Sequence, residues 1–198
     1  GSCAPPHEIA AFVKALPEGV IILLDEAYHE YVPDALQPDT VRYVKEGRPV
    51  IALRSFSKIY GLSGLRIGYA IAPPDCIALL DRARQPFNVN TLASTAALAA
   101  LDDAAHLVSS RRLNEAGKRY LYQAFEALGL RYVPTAANFI LVDVERDGEQ
   151  VVRALAEKGV AVCPTVRYGL RTFLRVTIGA SHENERFIAA LREVLTIR

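Results

Sequence analysis

Short and almost uninterrupted apolar runs constrain this sequence more than any other feature. The run VIILL covers residues 20–24, and the run VIAL covers residues 50–53. A third run, LRIGYAIA, covers residues 65–72 and ends at two prolines. Short apolar runs bounded by turn residues are typical of strands that are buried on both faces, which occur mainly in parallel sheets covered by helices. The first part of the chain therefore predicts part of a mostly parallel α/β sheet with flanking helices.

Apolar spacing places helices around and after these strands. The predicted helices cover residues 7–16, 76–84, 91–101, 103–128, 148–158 and 183–195. Further strands are predicted over residues 138–144, 160–162 and 173–178. The change from the parallel pattern to this mixed pattern predicts two domains, a large-domain segment over residues 1–102 and a small α+β domain over residues 103–198.

Composition excludes several classes of protein. Twenty-three Lys and Arg against 22 Asp and Glu give a net charge of +1, so no basic excess favours nucleic acid or an anionic membrane. No apolar run approaches the roughly 18 residues that a membrane span needs, and the first residues do not resemble a signal peptide. Three cysteines without a C-x-x-C pair and four scattered histidines disfavour a disulfide framework and a metal site. We expect a cytoplasmic protein without a metal that acts on small molecules.

Polar clusters follow the first two strands. The sequence DEAY occupies residues 25–28, directly after VIILL, and SFSK occupies residues 55–58, shortly after VIAL. Ligands of open α/β sheets bind at the carboxyl ends of the strands. Taken singly, the aspartate has an ordinary explanation as a helix cap and the lysine as a solvated charge. Together they favour a site that holds an aldehyde on the amine of Lys58.

Pyridoxal phosphate is the aldehyde cofactor whose other requirements the two clusters meet. Its ring nitrogen needs a carboxylate, for which Asp25 is the candidate, and its phenolic oxygen needs a donor, for which Tyr28 is the candidate. Its phosphate needs hydroxyls and a guanidinium. The candidates for these groups are Ser55, Ser57 and Arg66.

Two of these segments carry a resemblance to a known family. VIILLDEAYHEY and RSFSKIYGLSGLRIGYA resemble the cofactor motifs of fold-type I pyridoxal-phosphate enzymes, specifically the class I/II aminotransferases. RQPFNVNTLA, ANFILV and LRVTIG most resemble the bacterial histidinol-phosphate aminotransferases of that group. The resemblance covers the whole chain but only the later part of the family's sequence. It implies that the family's glycine-rich phosphate loop, ring-stacking aromatic and cofactor-contacting asparagine precede residue 1.

The resemblance implies a role for each candidate residue. Lys58 becomes the lysine that bonds the cofactor and carries the proton, Asp25 the ring-nitrogen partner and Tyr28 the phenolic-oxygen donor. Ser55, Ser57 and Arg66 become phosphate ligands. Arg175 matches the arginine that clamps a substrate carboxylate, and Asn138 matches a position near the substrate. Asn88 and Asn90 lie in a family-like stretch, but they receive no role.

One departure from the family pattern concerns the substrate. Related enzymes commonly read V-R-P where this chain has Val162-Cys163-Pro164, so an arginine expected at the anionic end of the substrate is missing. The candidates for a substitute are Arg167 and Arg171.

The resemblance implies a homodimer that transfers an amino group between L-histidinol phosphate and 2-oxoglutarate in histidine biosynthesis. Two alternatives stay open. One is another enzyme of the same group, such as an aromatic or aspartate aminotransferase or a phospho-amino-acid decarboxylase. The other is a catalytically incompetent fragment that serves as an interaction or structural piece.

Overall fold

The computed structural model describes residues 1–196 and divides the chain into two compact units. One unit comprises Cys3–Val108, and the other comprises Ser109–Arg198 with Gly1–Ser2. The division falls inside helix α5 (Ala104–Ala127). The predicted assignment of residues 1–102 to a cofactor-binding domain and of residues 103–198 to a small domain stays a prediction.

The first unit contains a three-stranded sheet in the order β1-β2-β3. Its strands are β1 (Ile22–Asp25), β2 (Val50–Ser55) and β3 (Gly68–Ile71). β1 and β2 are parallel, with Asp25 opposite Leu53, whereas β2 and β3 are antiparallel. The carboxyl ends of β1 and β2 and the start of β3 therefore share one edge of the sheet.

Burial in this sheet follows strand position. The central strand β2 is buried at residues 50–52, as its unbroken apolar run predicts. β1 lies at an edge of the sheet, and Leu23 on it is 64% exposed. On the other face, Val13, Ile22, Tyr43 and Val50 form a small core.

Four helices belong to this unit in addition to the start of α5. They are α1 (Pro6–Ala15), α2 (Thr40–Lys45), α3 (Pro74–Ala83) and α4 (Thr91–Asp102). Three of them match predicted helices to within about two residues. α2 is not predicted, because six residues are too few for a clear apolar period; the Asp39 side chain caps it by accepting a bond from the Arg42 N–H.

The second unit packs helices against an antiparallel sheet of order β4-β5-β7-β6. The strands are β4 (Arg131–Val133), β5 (Phe139–Asp143), β6 (Cys163–Pro164) and β7 (Phe173–Thr177). The helices are α5, α6 (Gly148–Glu157) and α7 (Ser181–Thr196). The core of this unit includes the fully buried side chains Leu121, Phe125, Ile140, Leu155, Leu174 and Leu191.

The strand predicted over residues 160–162 is wrong in position, because the strand observed is β6. Gly159 has a φ of 72°, and the Val160 N–H donates to the Leu155 carbonyl, so these residues close the end of α6. β4 is not predicted, because it has only three residues and two of them are exposed.

Three structural findings concern disulfides, metal sites and membrane-spanning helices. The cysteines Cys3, Cys76 and Cys163 are all free thiols. Within residues 1–196, no group of three or more His, Cys, Asp or Glu side chains is placed to hold a metal ion. In the same part of the chain, no helix is both long and apolar enough to cross a bilayer.

Candidate active site

The candidate site lies where β1 and β2 end. Asp25 is the last residue of β1, and its exposed carboxylate accepts a hydrogen bond from the Ala27 N–H at 3.0 Å. The next peptide is tied to the neighbouring strand, because the Glu26 N–H donates to the Leu53 carbonyl at 2.8 Å. The parallel pairing thus continues to the residue beside Asp25.

Lys58 and Tyr28 come together at this edge. Lys58 follows β2 in a turn, and its Nζ lies 5.1 Å from the centroid of the Tyr28 ring. Both residues are half-buried. A cation over an aromatic face is worth about 0.5–1 kcal/mol at an exposed site and more when desolvated. The contact joins two sequence clusters that are 30 residues apart, as the strand-end argument predicts.

The two serines shape the turn that leads to Lys58. Ser55 is the last residue of β2, and its Oγ accepts a hydrogen bond from the Ser57 N–H at 3.0 Å. Such a bond replaces the strand ladder with a local turn. Both serines are half-buried, and they place two hydroxyls immediately before the lysine.

Arg66 ends the loop that begins at Lys58. Its backbone is left-handed, with φ 56° and ψ 60°, and its Nη1 donates to the Ser63 carbonyl at 2.7 Å. Left-handed backbone costs an ordinary residue about 1–2 kcal/mol, and it persists where the surroundings hold it. Gly61, with φ 71°, makes the tight turn in this loop, and its N–H bonds the Lys58 carbonyl. The exposed guanidinium of Arg66 therefore stands on a constrained loop.

A buried ion pair that the sequence analysis does not predict lies beside the site. The Arg54 Nε donates to Glu26 Oε2 at 2.9 Å, and these side chains are only 16% and 7% exposed. Burial acts to lower the pKa of Arg54, but its hydrogen bonds with Glu26 and Tyr69 outweigh burial and raise that pKa. His29 Nδ1 lies 3.8 Å from the same carboxylate oxygen. The only sequence signal for the pair is two opposite charges, each adjacent to a site residue.

The remaining predicted residues lie in the second unit. Arg175 is in the middle of β7, opposite Leu141 on β5 and Cys163 on β6. Its guanidinium carbon is 5.3 Å from the centroid of the Phe139 ring. Its Nε is buried and has no hydrogen-bond partner among the residues that the structure describes. Asn138 is half-buried directly before β5, and its carbonyl accepts from the Ile178 N–H.

The donor set of the first unit suits an aldehyde that carries a phosphate. An amine, a carboxylate and a phenol are available for an aromatic aldehyde, and two hydroxyls and a guanidinium are available for an anion. These groups come from the ends of two paired strands and the adjoining loop. Asp25 and Arg66 are exposed, so they are accessible to a ligand.

The family model for aminotransferase class I and II matches residues 1–193. The chain belongs to the class I and II aminotransferases. Its architecture is that of part of this fold, with an α/β unit and a unit of helices on an antiparallel sheet.

Individual relatives agree with the family assignment. The histidinol-phosphate aminotransferase of Moorella thermoacetica is 56% identical over 196 residues, which are 98% of this chain and 51% of that protein. Histidinol-phosphate aminotransferase 1 of Nitrosococcus oceani is 50% identical over 195 residues, 98% of this chain and 53% of that protein. A solved histidinol-phosphate aminotransferase from Sinorhizobium meliloti, in complex with pyridoxal-5'-phosphate, has a TM-score of 0.84 and 30% identity over 98% of this chain and 54% of that one. This aminotransferase chain spans about half the length of the curated relatives it matches.

Replacing Glu26 tests the buried pair. We expect Glu26→Ala to lower the free energy of unfolding by roughly 3–5 kcal/mol, because it leaves the Arg54 guanidinium buried without its carboxylate. The matched control is Glu46→Ala, which removes the exposed pair of Glu46 with Arg42 and should change stability by less than about 1 kcal/mol. Urea unfolding of the full-length protein measures both variants. Equal effects of the two substitutions would contradict a special role for the buried pair.

Proposed function

We propose that the protein carrying this chain is a pyridoxal-phosphate-dependent aminotransferase that acts on L-histidinol phosphate and 2-oxoglutarate in histidine biosynthesis. The observation that carries the proposal is the contact of Lys58 with Tyr28 at the carboxyl ends of β1 and β2, in a chain 56% identical to a histidinol-phosphate aminotransferase. A shared fold alone does not identify a substrate, so the proposal rests on the reacting groups together with the sequence identity to a histidinol-phosphate aminotransferase.

Each residue at the strand ends has one task in this proposal. When bound, pyridoxal phosphate supplies an electron sink for the negative charge that develops at the substrate α-carbon. Lys58 would hold the cofactor through its amine, with the aldehyde oxygen leaving as water, and the free amine would serve as the base that moves the proton of the substrate α-carbon. The Asp25 carboxylate holds the proton on the ring nitrogen, and the Tyr28 hydroxyl donates to the phenolic oxygen. The phosphate ligands are Ser55, Ser57 and Arg66.

The second unit is proposed to recognise the substrates. Among the residues that the structure describes, the buried Nε of Arg175 has no hydrogen-bond partner, and leaving such a donor unpaired costs about 1–3 kcal/mol. A carboxylate that binds the planar guanidinium would satisfy it, as the proposed clamp on 2-oxoglutarate requires. Asn138 is proposed to lie near the bound substrate. We propose that the substrates are small molecules, a phosphorylated amino alcohol and a 2-oxo acid.

Cys163 supports a second candidate function. It lies opposite Arg175 in the pairing of β6 with β7. The resemblance described above implies an arginine at this position. A thiol cannot replace a guanidinium as a partner for the phosphate of histidinol phosphate. The second candidate is therefore another aminotransferase of this class, with an aromatic or aspartate donor.

We also propose a homodimer that works in the cytoplasm. Exposed apolar side chains of α4 and the segment before it support a subunit contact, since covering apolar surface with another protein surface is favourable. These residues are Phe87, Leu92, Leu98 and Leu101, which are 99%, 75%, 67% and 52% exposed. The three free thiols suit a reducing compartment.

Replacing Lys58 tests the proposed activity. We expect Lys58→Ala to remove the visible absorbance of the covalently bound cofactor and to lower kcat/KM by at least about 10³-fold, because the amine that transfers the proton is lost. Lys58→Arg is the matched control, since it keeps the positive charge but cannot bond the aldehyde; it should lose the same absorbance and activity. Normal turnover of either variant would reject the assignment.

The choice of amino donor separates the two candidate functions. The assay uses full-length protein with histidinol phosphate, phenylalanine and aspartate as amino donors, and preference for either amino acid would favour the second candidate.

Replacing Arg175 tests the proposed clamp. We expect Arg175→Ala to lower kcat/KM for 2-oxoglutarate by about 10- to 100-fold, because a hydrogen bond to a charged group contributes about 1.5–3 kcal/mol. Arg175→Lys should recover only part of the loss, since an ammonium cannot bind a carboxylate in the planar, two-pronged geometry. Unchanged kinetics with 2-oxoglutarate in both variants would remove Arg175 from the site.

A further inference from the structure

The loop that joins Lys58 to Arg66 is tied at both ends to helices of the same unit. Near its start, His106 Nε2 of α5 lies 2.8 Å from the Ile59 carbonyl oxygen. Near its end, Asn90 Nδ2 donates to the Leu65 carbonyl at 3.3 Å. Both bonds reach carbonyls adjacent to proposed cofactor ligands. The loop is therefore held by side chains that are not themselves among those ligands.

Asn90 makes two bonds with the two ends of its amide. Its Oδ1 accepts from the Ala93 N–H at 2.8 Å, which makes it the N-cap of α4. Its Nδ2 is thereby directed to the loop. The orientation of the amide is fixed by this pattern, because the reverse orientation would set an NH₂ group against the Ala93 N–H. One side chain thus couples the start of a 12-residue helix to the loop.

The bond to Leu65 acts on the backbone of Arg66. The Leu65 carbonyl belongs to the peptide unit that precedes Arg66, and rotation of this unit changes the φ angle of Arg66. That angle is 56°, in the left-handed region that an arginine rarely adopts. A strained angle persists only when surrounding contacts hold it. The Asn90 bond is one such contact, and it works directly on the strained angle.

We propose that Asn90 is a positioning residue for the cofactor phosphate, because its amide bond to Leu65 holds Arg66 in the backbone conformation from which the guanidinium binds that phosphate. This inference rests on the function proposed above. It predicts a loss confined to phosphate recognition, since Lys58 lies at the other end of the loop and His106 holds that end. It also predicts that a substitution can remove the bond from the Asn90 nitrogen to the loop and still keep an oxygen that caps α4.

Two substitutions separate these roles. In Asn90→Asp a carboxylate oxygen still caps α4, but the donor to Leu65 is lost. In Asn90→Ser the hydroxyl also caps the helix, the side chain is too short to reach the loop, and no negative charge is added near the phosphate. Asn88→Asp is the matched control for charge, because it makes the same change two residues away at a side chain that lies 3.5 Å from Arg84 Nη1.

The experiment compares pyridoxal phosphate with pyridoxal, which lacks the phosphate. Apo forms of the full-length protein are titrated with each aldehyde, and the ratio of the two Kd values reports what the phosphate contributes. We expect Asn90→Ser and Asn90→Asp to raise the Kd for pyridoxal phosphate by about 10-fold, which is about 1.4 kcal/mol, and that for pyridoxal by less than about 2-fold. Asn88→Asp should leave both values unchanged. The melting temperatures of the apo variants should stay close to that of the wild type, since the cap is kept.

Two results would overturn the positioning role of Asn90, and a third would reject the proposed function. An unchanged ratio in Asn90→Ser would overturn the positioning role. An equal rise of both Kd values with a lower melting temperature would also overturn it, because it would show a merely structural effect. A wild-type protein that binds neither aldehyde would reject the proposed function itself.

Discussion

The parallel pairing of β1 with β2 is the constraint on which the rest of the site depends. It sets Asp25 opposite Leu53, and the backbone bond from Glu26 to Leu53 continues it beyond the end of β1. The buried bond between Glu26 and Arg54 then joins the same two strand ends through their side chains. Because the register is fixed in these ways, residues 28 and 58 meet although they are far apart in sequence.

The loop after β2 combines a constrained backbone with the exposed guanidinium of Arg66. The Ser55 hydroxyl turns the chain out of the strand, Gly61 makes the tight turn, and Arg66 holds a left-handed conformation. Strained backbone often lies at ligand sites, where the surrounding structure holds it before the ligand arrives. An anion that binds here meets groups whose positions are already set, which lowers the entropy lost on binding.

The two strand ends that carry the candidate site were predictable, because they follow from local signals. Apolar runs marked β1 and β2, and the polar residues after each run marked their carboxyl ends. The contacts that support the candidate site were harder to predict from the sequence, because they depend on tertiary register. Glu26 and Arg54 are 28 residues apart, and Asn90 and Leu65 are 25 apart, so no sequence period connects either pair. The misplaced strand near β6 has a local origin instead, since Gly159 and the Val160 N–H close the end of α6 and the strand begins only at Cys163.

The most direct test of the central claim is to find the residue that bonds the cofactor. Full-length protein is incubated with pyridoxal phosphate, reduced with borohydride and digested with trypsin, and the labelled peptide is identified by mass spectrometry. Trypsin cuts after Arg54 and Arg66 but not at a modified lysine, so the account predicts one labelled peptide that spans residues 55–66. A label on a different lysine, or an unlabelled residue 58 in protein that turns over substrate, would contradict it.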